Sequence, residues 1–258
     1  MVAFFERILL IFQIIKQFFG LLYLIVRYED NMPLPENYVC MARYILPFEG
    51  MWVTVNGGVT EDMSHSWDIL TQRFAYDFIV IDESGSTLAG DMENPADYYC
   101  YGLDIIAPAD GEVVHVEDRC ADSIIDKDGN AHCNSRDLCG NHIVIKHAEG
   151  EFSFLAHLMQ GSIAVKVGDV VAQGQRIAKC GNTGNSSQPH LHFHLQNKKS
   201  FFTSIGLPIE FTSIEARACE VYHILDPREA QGGFVEVAGR KYIGRGLEVR
   251  NAVCGPQM

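Results

Sequence analysis

The hydrophobic pattern divides the chain into two unlike parts. Residues 2–26, VAFFERILLIFQIIKQFFGLLYLIV, are almost continuously apolar. Within them Glu6, Gln13, Lys16 and Gln17 fall on one side of a helix turning about 100° per residue, with Gly20 beside them. The pattern predicts an apolar helix over residues 1–30 that anchors the chain to a membrane. The run Ile8–Val26 approaches the roughly 20 residues that a spanning helix needs. Lys16 at its middle costs about 2.5–3.5 kcal/mol in hydrocarbon. A helix lying in the headgroup layer with its polar stripe in the headgroups therefore fits as well as a spanning one. Docking on the protein's own core is the third arrangement. No small-residue cleavage site follows the run, which argues against a removable signal peptide.

Residues 27–38, RYEDNMPLPENY, are polar and carry prolines, and read as a linker. Beyond Cys40 the period shortens to that of strands. Val113–Val116, Ile143–Ile145, Phe152–Leu155 and Ile163–Val167 are short β-branched or aromatic runs. Turn residues punctuate them at Ala109-Asp110-Gly111, Glu149-Gly150, Val167-Gly168-Asp169 and Gln173-Gly174-Gln175. Short strands with frequent turns predict a mainly β chain, an antiparallel sandwich or barrel-like domain, and not a βαβ sheet. Residues 31–60 are expected to hold a linker and leading strands, 61–213 the main domain, and 214–258 an extension with a hairpin near Ala238-Gly239. Residues 82–97 and 118–139 read as polar surface loops. Asp126 to Asn130 faintly resembles a calcium loop but lacks the rest of one, so a plain turn is expected.

Composition narrows this picture only a little. At 258 residues, with 47% apolar and 21% charged residues, the chain has an ordinary globular balance. A net charge of −13 argues against a nucleic-acid partner, which would select a basic face. None of the eight cysteines forms a CxxC pair, so a zinc ribbon is not expected, and the disulfide state stays open.

The chemistry concentrates in Pro189-His190-Leu191-His192-Phe193-His194. Alternation along a strand puts three imidazoles on one face and Leu191, Phe193 and Leu195 on the other. Three imidazoles on one face are hard to explain as packing, and neutral imidazole is the commonest metal ligand. A glycine- and serine-rich loop, Gly181 to Pro189, feeds this strand. A phosphate cradle is the weaker reading of that loop, because no Gly-Lys-Ser/Thr and no helix follows.

At these residues the chain resembles the lysostaphin/LytM-type zinc metallopeptidases. Gly140-Asn-His-Ile-Val-Ile-Lys-His147 and Phe154-Leu-Ala-His157-Leu158 are similar to that family's GNxVxIxH and YxHL motifs. Ala107 to Val114, Val165 to Ile177 and Gly181 to Phe193 are similar to its APxDGxVV, VxxGxxVxxGQxI and GxTGxSxxPHLHF segments. The motifs stand in order over about residues 60–212. By that resemblance His192 is a zinc ligand, His157 and His190 are the catalytic histidines, and Asp77 is the carboxylate ligand. The family's first motif, HxxxD, is broken here because Arg73 stands four residues before Asp77. A guanidinium cannot bind a metal. His65, upstream of the same strand, becomes the third candidate ligand, as in a branch of the family with a loop histidine before a QRYAxDF run. His194 lies outside the family pattern, and His147 reads as structural.

The resemblance implies a duplicated hybrid motif fold, a Zn²⁺ cofactor held by His65, Asp77 and His192, and a peptidoglycan peptide as substrate. It implies a location on the extracytoplasmic face of a bacterial envelope, with the membrane engaged through the N-terminal helix. Arg73 leaves a second reading open: an inactive LytM-type module that binds or regulates another wall hydrolase. A biotinyl or lipoyl carrier would share the sandwich layout. That reading requires a lysine in a tight hairpin between the halves, and none is there.

Overall fold

The alternation after Cys40 is realised in one ten-stranded sheet. The computed structural model describes residues 2–29, 31–133 and 137–252, the side chains of residues 2–8 and 10 excepted. In chain order the sheet strands are β1 (Trp52–Asn56), β2 (Tyr76–Ile79), β3 (Gly111–Glu117), β4 (Asn141–Ala148) and β5 (Glu151–Leu158). They continue as β6 (Val170–Val171), β7 (Leu191–Gln196), β8 (Gly206–Leu207), β9 (Ile214–Ala218) and β10 (Leu247–Asn251). In space they run β9-β10-β1-β2-β7-β5-β4-β3-β6, with β8 also paired to β7. Every ladder among them is antiparallel.

Alternation decides what each face holds. Leu191, Phe193 and Leu195 of β7 enter the core beside Tyr76, Phe78, Leu155, Ile143 and Ile145. A separate ladder, Asp104–Ile106 with Arg176–Lys179, supplies Ile105 and Ile177 to the same core. Apolar faces thus pack on each other, as the sandwich expectation requires. His192 and His194 take the opposite face of β7 from the core residues.

Two expectations need adjusting. Ile163–Val167 forms no strand. Its described ladder-type contact is the bond from the Ala164 N–H to the Ile177 carbonyl, too little to build a sheet edge. Residues 214–251 are not an appended unit, because β9 and β10 continue the main sheet beside β1. The sheet therefore runs through both expected boundaries, at residues 61 and 213. A hairpin of Val235–Val237 with Arg240–Tyr242 does turn at Ala238 and Gly239, both with positive φ. Asp126 holds a plain turn, accepting from the N–H groups of Asp128 and Asn130. Cys40, Cys100, Cys133, Cys139, Cys180 and Cys219 are thiols, and Cys254 lies outside the described residues.

Helix α1 (Val2–Tyr28) docks on the domain. Leu24 is buried with Leu70 and Ile205. Gly20 lies so close to the Phe202 carbonyl that a side chain there would collide with it. The Leu138 N–H donates to Gln13 Oε1 over 3.0 Å. The ammonium of Lys16 lies 5.8 Å from the centre of the Phe202 ring. The polar stripe therefore faces the protein, and the apolar side, with Ile11, Phe12, Phe18, Phe19 and Val26, is exposed. The Glu6 side chain lies outside the described residues.

The segment before β1 is tied down by one carboxylate. Glu151, fully buried at the start of β5, accepts from Tyr38 Oη at 2.5 Å, Met41 N at 2.5 Å, Ala42 N at 3.0 Å and Tyr44 Oη at 2.8 Å. Burial, and then the neighbouring Glu151, push both tyrosine hydroxyls far above their usual range, so they remain donors. Glu151→Ala leaves those donors unmatched, a loss on the order of 3 kcal/mol. The thermal midpoint should fall by roughly 5–10 °C. A shift under about 2 °C in a melting curve would show that the carboxylate holds nothing.

Candidate metal centre

Two neighbouring strands set the centre. In the β2–β7 ladder Asp77 pairs directly with His192, and in the β1–β2 ladder Asn56 pairs with Asp77 across a bulge. All three project from the same face. His192 Nδ1 stands 2.9 Å from Asp77 Oδ1. His65 Nδ1 stands 3.3 Å from Asp77 Oδ2. Among the described residues the ligand atoms of His65, Asp77 and His192 form a group within 4.8 Å of one another.

His65 reaches the strands from the loop joining β1 to β2, and Arg73 explains how. Its Nε donates to the Trp67 carbonyl over 3.1 Å, and its guanidinium lies 4.7 Å from the centre of the Trp67 ring. Ser66 Oγ donates to the Gln72 carbonyl over 3.1 Å. These contacts fold the loop back on itself. Arg73 braces the segment that delivers His65 and takes no place among the candidate ligands.

The other two histidines come from β5 and the loop before β7. His157 has φ of +61°, a left-handed conformation that a non-glycine residue adopts at a cost of about 1–3 kcal/mol. Its Nδ1–H donates to the Thr183 carbonyl over 2.7 Å. His190 Nδ1–H donates to the Gln188 carbonyl over 2.8 Å. With those protons placed, both rings keep a lone pair at Nε2. The ring centres lie 4.7 Å apart, and both rings line the cleft. The loop from Gly181 to Pro189 can approach because Gly140 and Gly184 pack against each other with positive φ.

Donor and acceptor accounting tests whether a metal fits. Gln196 Nε2 donates to the carbonyls of Lys198 at 2.8 Å and Lys199 at 3.2 Å, so its Oε1 is the atom that faces His194. It accepts from His194 Nε2–H over 3.0 Å. His194 Nδ1 must then accept from His192 Nε2–H, also over 3.0 Å. His192 Nδ1 is left with a lone pair facing the Asp77 carboxylate, and such a pair of acceptors needs a cation beside it. An imidazole–imidazole–carboxylate set with an open fourth direction suits zinc.

Electrostatics agree. Burial would raise Asp77, yet His65 above all, then His192 and His190, hold it well below the usual carboxylate range. Burial, then His190 and His192, hold His157 well below the usual imidazole range. Burial lowers His192 against the opposing pull of Asp77. Burial thus holds His157 and His192 toward the neutral form beside a charged carboxylate.

Two further residues belong to this site although nothing in the sequence singled them out. Asn56 Nδ2 donates to Asp77 Oδ2 over 2.9 Å, and Arg228 Nη2 donates to Asn56 Oδ1 over 2.6 Å. Arg228 is held by Asp226 at 2.5 Å. The segment between β9 and β10 thus orients the carboxylate. His147 contacts the Asp110 carbonyl and Ser153 Oγ, each at 2.8 Å, which is the structural role expected of it. The cleft has a volume of about 740 Å³; its floor holds the five site residues and α1 contributes Ile14, Gln17, Phe18 and Leu21 to its wall.

Residues 96–203 match the model of peptidase family M23. An uncharacterized metalloprotease of Haemophilus influenzae is 33% identical over 109 residues, 42% of this chain and 19% of that protein. The peptidoglycan DD-endopeptidase ShyA of Vibrio cholerae is 45% identical over 56 residues, 22% of this chain and 13% of that protein. The chain thus spans less than a fifth of the length of these two relatives. Among solved structures, the catalytic domain of EnpA from Enterococcus faecalis aligns over 69% of this chain and 93% of its own, at 16% identity and a TM-score of 0.36. Lysostaphin from Staphylococcus simulans aligns over 51% of this chain and 40% of its own, at 24% identity and a TM-score of 0.32. The matched segment begins after His65 and Asp77, so the similarity to peptidase family M23 is carried by the part of the chain that holds His157, His190 and His192.

Proposed function

We propose that the chain is a zinc-dependent endopeptidase that hydrolyses peptide bonds in peptidoglycan stem or cross-bridge peptides. The observation that carries this reading is one cleft holding both the grouped ligand atoms of His65, Asp77 and His192 and two further imidazoles whose Nδ1 atoms are turned to carbonyls, which leaves each Nε2 for proton transfer. His65, Asp77 and His192 would hold the metal. A zinc ion there supplies Lewis acidity, bringing the pKa of a water molecule to about 7 and polarising a carbonyl. His157 and His190 divide the proton work. One takes the proton of the attacking water at Nε2, and the other, once protonated, donates to the carbonyl oxygen as charge develops there. The Thr183 and Gln188 carbonyls hold the two rings in the orientation that this requires. The peptidoglycan substrate is supported by the relative named as a DD-endopeptidase. The placement of Arg73 away from the candidate ligands favours the enzyme over the inactive module.

The same reading places the chain at the outer face of the membrane, with α1 lying in the interface. Docking contacts run from Gln13 to Leu24, and Tyr28 meets Asn197, which supports the interfacial arrangement over the spanning one. Its outward face is apolar for the headgroup and acyl boundary. Arg27 stands near the end of the helix, and Lys198, from the segment after β7, lies beside it with its ammonium 2.9 Å from Tyr23 Oη. In a chain of net charge −13, cations beside an apolar face favour an anionic lipid surface.

Three outcomes test these statements. Purified protein should hold about one zinc per chain, and His65→Ala, Asp77→Ala and His192→Ala should each lose it in metal analysis. Stoichiometric zinc in the His65→Ala protein would remove His65 from the centre. His157→Ala and His190→Ala should keep zinc and lose roughly 100-fold or more in hydrolysis of muropeptides. Normal turnover in either would make that histidine structural. Finally, the full chain should sediment with vesicles containing phosphatidylglycerol. Replacing the exposed Phe12, Phe19 and Val26 by serine should leave it in the supernatant, and equal sedimentation of both proteins would remove α1 from the lipid surface.

A further inference from the structure

We propose that His194 and Gln196 are positioning residues that present the metal-binding lone pair of His192. This inference rests on the zinc reading above and adds to it the device that readies one ligand before any metal arrives. A neutral imidazole carries its proton on either nitrogen. If His192 carried it at Nδ1, that nitrogen would donate to Asp77 Oδ1, 2.9 Å away, and would have no lone pair for a metal. The proton has to be drawn to Nε2, and Nε2 points into the sheet face, where water is excluded.

The acceptor it meets there is His194 Nδ1, and that atom is an acceptor for reasons traceable to the backbone. The Lys198 and Lys199 carbonyls can only accept, so they turn the Gln196 amide with its nitrogen toward them. Gln196 Oε1 can only accept, so His194 carries its proton at Nε2. His194 Nδ1 can then only accept, so His192 carries its proton at Nε2. Three side chains at alternate positions of β7 thus transmit one orientation from a chain turn to the metal centre.

Burial makes the relay rigid. His194 is 1% exposed and Gln196 is fully buried. The His194 ring stacks on Phe154 with centres 4.9 Å apart and planes 15° apart, and Phe201 stands against it at 6.1 Å. A flip of the His194 ring would place its donor against His192 and its lone pair against the glutamine oxygen. It would break both hydrogen bonds where no water replaces them. Outer hydrogen-bond partners of metal-ligating histidines are typically worth about 10–100-fold in metal affinity.

The test compares zinc affinities by chelator competition, with melting curves of the metal-free proteins measured alongside. His194→Leu fills much of the ring's space and removes the acceptor, and its zinc affinity should fall by about 10–100-fold. His194→Asn puts an amide oxygen on the same Cγ that carries Nδ1. It should keep most of the wild-type affinity even where its melting point falls as far as that of the leucine variant. Gln196→Leu should weaken zinc binding in the direction of His194→Leu without touching His192. Wild-type affinity in His194→Leu would overturn the inference. Equal losses in the leucine and asparagine variants would also overturn it, since ring packing rather than the acceptor would then matter. A wild-type protein that takes up no zinc would instead overturn the zinc reading on which it rests.

Discussion

A carboxylate buried in a protein interior has to be answered by charge or by hydrogen bonds, and the centre of this fold is built round that demand at Asp77. The residue sits on β2 between two strands of the main sheet, away from any edge where water could solvate it. Asn56 donates to it from β1 and His65 stands beside it from the loop between β1 and β2, while His192 faces it from β7 with a lone pair that calls for a cation. The registers of two ladders therefore set the site as much as the side chains do. A slip of one residue in either ladder would turn Asp77 or its partner to the apolar face and leave a charge in the core.

The parts outside the family match make sense as supports for that carboxylate. Arg73, in a position where the family pattern has a metal-binding histidine, stacks on Trp67 and closes the loop that brings His65 forward. Arg228, from the stretch between β9 and β10, orients Asn56 and so orients Asp77. β9 and β10 extend the sheet past β1, which is what puts Arg228 within reach of the site. The proposed exchange of one ligand position for another thus involves elements on both sides of the matched segment, and not a single substitution.

How much of this was legible in the sequence depended on the range of each interaction. Period-two alternation and the turns around Gly150 and Gly168 predict β3, β4, β5 and the antiparallel class, because those signals are local. Ile163–Val167 carries the same local signal without forming a strand, since a strand needs a partner and propensity does not provide one. The site residues His157, His190 and His192 stand in motif context, and His65 and Asp77 were reached through the break at Arg73. Asn56 and Arg228 were not reached, because 172 positions separate them and only the sheet brings them together. His194 was visible as a third imidazole on the strand. Its bearing on His192 depends on the hydrogen bonds of Gln196, which no sequence pattern displays.

The helix at the start of the chain shows a different limit. A polar stripe on an apolar helix marks a side that needs polar surroundings, and periodicity cannot say whether water, headgroups or protein supply them. Here the protein does. Gln13 accepts from the Leu138 backbone, Lys16 lies over the Phe202 ring, and Gly20 admits the Phe202 carbonyl. With the polar side satisfied in this way, the apolar side is the one left outward, and it is a lipid-seeking surface by the same chemistry that would have made it a core-facing one. Because the docked side also walls the cleft through Gln17 and Leu21, the helix links two properties that a simple tether would keep apart. Whatever holds the outer face of the helix therefore also holds one wall of the cleft.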